Sequence, residues 1–129
     1  MLKIKNGLAF LCLAMLVAAG CVGTSSVTNL TSTKAKRSPN NLYLVEYEWD
    51  SNQQTIRPDT ITPTVVVGLD NYPMRKIPKM QNRWEAYIPV PPDKKAINYH
   101  YKVDYEYNRF GNPGHGSLLS PEYKLIIED

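Results

Sequence analysis

Residues 98–108 read NYHYKVDYEYN. Taken alternately, they sort into two sets without exception. Tyr99, Tyr101, Val103, Tyr105 and Tyr107 form one set, and Asn98, His100, Lys102, Asp104, Glu106 and Asn108 form the other. Side chains alternate between the two faces of an extended chain, so the stretch predicts a long β-strand with an aromatic face and a charged face. A slip of one residue would expose the tyrosines and bury Lys102, Asp104 and Glu106, so the pairing register is strongly specified.

Other strands must cover those rings. Residues 42–50, LYLVEYEWD, repeat the pattern: Tyr43, Val45, Tyr47 and Trp49 share one side, while Glu46, Glu48 and Asp50 share the other with Leu42 and Leu44. Residues 61–69, ITPTVVVGL, are dense in β-branched side chains, and Val65-Val66-Val67 predicts a strand covered on both faces. Residues 83–90, RWEAYIPV, alternate again, and residues 118–127 give a last strand interrupted by Pro121. Residues 109–117, RFGNPGHGS, read as a glycine-rich loop. Pro63, Pro73, Pro89 and Pro121 read as edge protection. No stretch carries a capped 3.6-residue period. The expected fold class is all-β, an antiparallel β-sandwich of six to seven strands spanning residues 42–129.

The other end of the chain reads as an address. Lys3 and Lys5 precede the apolar run 7–17, which is shorter than the roughly 20 residues a membrane span needs. Residues 1–20 are therefore expected to be a secretory signal peptide. At Ala18-Ala19-Gly20-Cys21 the segment resembles the lipobox of bacterial lipoproteins. The resemblance implies that Cys21 is the first mature residue and carries lipid, palmitate included. Val22 stands where that family places Asp for inner-membrane retention, which implies the outer membrane in a Gram-negative host. The expected location is thus the cell envelope, with the membrane held through lipid on Cys21 by more than one acyl chain. Residues 22–41, rich in Ser, Thr and Asn, read as a flexible, disordered tether between the anchor and the domain.

Cysteine count and charge narrow the rest. Cys12 would leave with the signal and Cys21 would be acylated, so no disulfide is expected. Without Lys3 and Lys5 the 15 basic residues fall to 13 against 12 acidic ones, which gives no basis for nucleic-acid binding. No Cys/His cluster and no Asp-x-Asp-x-Asp-Gly spacing calls for zinc or calcium, and no cofactor is expected.

From Trp84 onward, WEAYIPVPPDKKAINYHYKVDYEYN resembles the late strands of immunoglobulin-like early-set modules, among them starch- and glycogen-binding ones. Trp84, Ile88, Val90, Tyr99, Tyr101, Lys102 and Val103 stand in the order of that motif. The resemblance implies an immunoglobulin-like sandwich and, more remotely, a sugar-binding face.

Three function classes follow. The first is a non-enzymatic, lipid-anchored binding or scaffolding module with an envelope protein as partner, using the loop residues Arg109, Phe110 and His115. The second is a carbohydrate-binding module that presents Tyr72, Trp84 and Tyr87 as stacking platforms, since aromatic faces suit apolar sugar faces. The third, a small hydrolase, requires two acids, one with a raised pKa, in a dry pocket, or His100 beside a carboxylate. Glu46, Glu48, Asp104 and Glu106 lie instead on open charged faces where Lys102, Arg83 or Lys124 would pair with them, so no catalytic residue is assigned.

Overall fold

The computed structural model of the chain describes residues 25–129. The segment 1–20, expected to be a signal peptide, and Cys21 lie outside the described residues. Ten strands and one short 3-10 turn (Pro58–Thr60) build the described part. In chain order the strands are β1 (Ser25–Asn29), β2 (Lys34–Lys36), β3 (Leu42–Ser51), β4 (Thr62–Val67), β5 (Asp70–Pro73), β6 (Arg75–Lys76), β7 (Arg83–Pro89), β8 (Ala96–Tyr107), β9 (Gly114–Leu119) and β10 (Tyr123–Glu128).

They form a sandwich of two sheets. The first sheet has the order β1-β3-β7-β6, and the second runs β2-β10-β8-β4-β5 with β9 also on β8. Both long alternating stretches are strands, and they face each other. Tyr43, Val45, Tyr47 and Trp49 from β3 meet Tyr99, Tyr101 and Val103 from β8, all buried. The Tyr47 and Tyr101 rings stack with centroids 4.9 Å apart, and Trp49 lies 5.3 Å from Tyr105. Ala86, Ile88 and Val90, with Val65, Leu125 and Ile127, complete the interior. Apolar area removed from water on both inner faces is what holds the layers together.

Residues 25–36 correct the expected tether. They supply β1 to the edge of the first sheet and β2 to the edge of the second. Few large apolar side chains are needed for this, because the segment contributes polar partners instead. Asn29 Nδ2 donates to the Tyr99 hydroxyl at 2.9 Å, and the Tyr101 hydroxyl donates to Asn29 Oδ1 at 2.7 Å. Thr31 Oγ1 donates to the Glu46 carbonyl and accepts from the Glu46 amide. A buried tyrosine hydroxyl without a partner is destabilising, so Asn29 and Thr31 complete the interior that β3 and β8 begin.

Three further expectations are revised. The strand count exceeds six to seven because short strands switch between sheets, with the buried Met74 at the crossing from β5 to β6. The sheets are not wholly antiparallel, since β2 runs parallel to β10. The stretch read as a loop from 109 to 117 becomes strand from Gly114. A Cβ at Gly114 would strike the Tyr107 ring, and one at Gly116 would strike the Tyr105 ring. The glycines therefore make room for rings that lie across the neighbouring strand. Along β8, residues Ser120, Pro121 and Glu122 stand opposite only His100 and Tyr101. This is a bulge in which the Tyr101 amide donates to Ser120 Oγ at 2.8 Å. Of the four prolines, Pro73 does lie in an edge strand, but Pro63 is buried in β4, between β8 and β5.

Candidate functional site

Alternation buries one face of each strand, so function must be sought in what points outward. On the second sheet the outward residues of β8 are polar. Lys102 lies 3.8 Å from Asp104, and Glu106 is bracketed by Arg57 at 3.4 Å and by His115 Nδ1 at 3.8 Å. Asp104, Glu106 and His115 line one shallow recess with Thr60 and Thr62. Their side chains remain between a third and three quarters exposed, so water screens them.

The outward face of the first sheet divides along its length. Across β3 and β7, Leu42 stands opposite Pro89 and Leu44 opposite Tyr87. The next pairs are Glu46 with Glu85 and Glu48 with Arg83. The like-charged pair is relieved by Arg75 of β6, whose Nη2 lies 2.9 Å from Glu85 Oε1. One half of the face is therefore charged, with Glu85 paired to Arg75. The other half is apolar and open: Leu42 and Leu44 are each 39% exposed, and Tyr87 is 52% exposed. Directly opposed apolar side chains on a sheet face are within contact distance, so these residues make one patch.

The expected site residues fall in different places. Tyr87 belongs to the apolar patch. Trp84 and Tyr72 turn inward, from opposite sheets, and pack against the core. The structure thus does not bring Tyr72, Trp84 and Tyr87 onto one surface. Arg109 and Phe110 lie in the turn 108–113 between β8 and β9. Phe110 is fully exposed, and Arg109 Nε donates to the Asn112 carbonyl at 2.8 Å. His115 is on β9, beside Glu106, rather than at a loop tip. Leu42 and Leu44 were the residues missed. Their signal is two leucines on the acidic side of an otherwise strict alternation.

The interior carries the perturbed ionisations. Burial pushes the Tyr47 and Tyr101 hydroxyls well above the ordinary tyrosine value, and Tyr123 is raised by burial and by Tyr99. At the surface, the hydrogen bond from Arg37 holds the Asp129 carboxyl below its usual range. No group of three or more His, Cys, Asp or Glu among the described residues could hold a metal ion. No helix among them is long and apolar enough to cross a membrane. No protein-family model matches the chain, and neither a search of curated proteins nor one of solved structures finds a match.

Proposed function

We propose that the chain is a non-enzymatic, lipid-anchored module of the cell envelope, in the outer membrane of a Gram-negative host. In this reading an immunoglobulin-like sandwich binds or scaffolds an envelope protein. The observation that carries the binding role is the exposed apolar patch of Leu42, Leu44, Tyr87 and Pro89 beside a charged half-face. Contiguous apolar surface rimmed by charge is typical of docking sites, and tyrosine is among the side chains that dominate them. Cys21 behind its small-residue run supplies the anchor.

Two measurements test this reading. Cells fed labelled palmitate should label the chain, and Cys21→Ala should abolish the label; a label that persists removes the anchor. Affinity capture from detergent-solubilised envelopes should recover a discrete protein with the parent chain and lose it with Leu44→Glu. Equal recovery with both removes the patch. The half-exposed Tyr87 ring favours a second reading, a glycan ligand. Glycan-array signal that is lost on Tyr87→Ala would transfer the patch to that ligand.

A further inference from the structure

The sandwich has two distinct ends, and the chain leaves from one of them. Ser25 pairs with Ser51 at the finish of β3. From there residues 52–57 cross to the far end of β8, where Ile56 bridges Tyr107 and the Asn108 amide donates to the Thr55 carbonyl at 2.8 Å. The turn 108–113 therefore projects from the same end as Ser25. So does the turn 77–82, since the Trp49 amide donates to the Asn82 carbonyl and Asn82 Nδ2 donates to Asp50. Phe110 and the 38% exposed Met80 thus flank the chain exit, accompanied by Arg109, Lys76 and Lys79. Asp50, Asp59 and Glu106 are the acids near them; Asp50 accepts from Asn82, Glu106 is paired with Arg57, and Asp59 is exposed on the 3-10 turn beside Glu106.

Only four residue steps separate Cys21 from Ser25, a reach of at most about 14 Å. The 12-residue strand β8 is about 40 Å long. A lipid on Cys21 therefore holds one end of the sandwich close to the bilayer and keeps the other remote from it. We infer that the end bearing Phe110 is a second membrane contact, with the Phe110 ring in the interfacial layer and Arg109, Lys76 and Lys79 toward anionic headgroups. This rests on the proposed acylation of Cys21. The turn is held ready for it by Asn108 and by the Arg109 bond to Asn112, so the ring projects without further ordering. An aromatic ring beside basic side chains suits the bilayer interface. Lys34 and Lys36 of β2, and Arg37 just after it, do not compete for this role. They lie along β10 beside the β8 start, at the remote end, where Glu128 engages Lys34 and Asp129 engages Arg37.

Leu69, fully exposed in the turn between β4 and β5, supplies the control, because its neighbour Val66 pairs with His100 toward the start of β8. Full-length chain expressed in cells, checked for palmitate label and reconstituted into phosphatidylglycerol-containing vesicles, would carry either Phe110→Trp or Leu69→Trp. Emission is read as the difference from the parent, whose own Trp49 is buried and whose Trp84 is partly buried. The inference expects a blue shift and strong quenching by brominated lipid for Phe110→Trp, and neither for Leu69→Trp. Labelled protein whose Phe110→Trp emission ignores the brominated lipid overturns the inference and leaves the anchor standing. A blue shift produced by membrane-free envelope proteins instead assigns this end to a protein and overturns it equally. Unlabelled protein removes the anchor reading first and this inference with it.

Discussion

Strands β3 and β8 read almost alike, and they behave alike on the inside and differently on the outside. Each turns an aromatic row inward, and the two rows stack at Tyr47 and Tyr101. Outward, β8 shows His100, Lys102, Asp104 and Glu106, whereas β3 begins with Leu42 and Leu44 before its acids. The inward half is dictated by the need to bury rings against rings. The outward half is free of that demand, so its departures from polarity are where the proposed docking surface is placed. A strict alternation locates the core, and its exceptions mark the surface that the burial of rings leaves unexplained.

The contrast between inside and outside can be broken most severely at Tyr101. Tyr101→Ala would empty the middle of the sandwich and should cost about 3–5 kcal/mol in urea unfolding, whereas Lys102→Ala on the same strand should stay within about 0.5 kcal/mol. A smaller penalty, about 1–3 kcal/mol, is expected for Asn29→Ala, which strands the Tyr99 hydroxyl. If that variant unfolds with the parent, residues 25–36 are an ornament on the fold rather than a part of it.

Alkaline pH sharpens the same contrast. Tyr47 and Tyr101 keep their protons in the folded chain above the pH of about 10 at which exposed tyrosine ionises. Below that pH both states are protonated and stability is unaffected. Above it the unfolded state loses protons first, so stability should fall by about 1.4 kcal/mol per pH unit for each. Tyrosinate absorbance should rise with unfolding for these groups, and a rise that precedes unfolding would contradict their burial.

The smallest effect separates the two stacked rings. Tyr101 donates to Asn29 and to the Glu46 carbonyl, while the Tyr47 hydroxyl is buried without a hydrogen-bond partner. Tyr101→Phe should therefore cost about 1 kcal/mol, and Tyr47→Phe should be neutral or slightly stabilising. Equal costs would mean that the two hydroxyls are equivalently satisfied.

Much of this fold was legible because alternation is a strong signal wherever rings or branched side chains occupy one face. The sandwich, its two central strands and the burial of Tyr99 and Tyr101 followed from that signal alone. Strands β1 and β2 were not legible, since their contribution is carried by Asn29 and Thr31 bonding to residues some 15 to 70 positions away. Strand β9 was hidden by Gly114 and Gly116, which read as loop and serve as space for Tyr107 and Tyr105. For the site, Tyr87 was recognised as outward-facing, but its partner Leu44 sits more than forty positions earlier and only the β3–β7 register joins them. Tyr72 is parted from Tyr87 for the same reason, because sheet membership is not written locally, whereas Trp84 and Tyr87 share β7 and stand on its opposite faces.

On the proposed function, the two outward faces differ in purpose. A photoactivatable amino acid placed at Leu44 or at Lys102, with irradiation of intact cells, compares them directly. A discrete protein adduct is expected from position 44 and none from position 102. Adducts from both positions alike, or from position 102 alone, would contradict it.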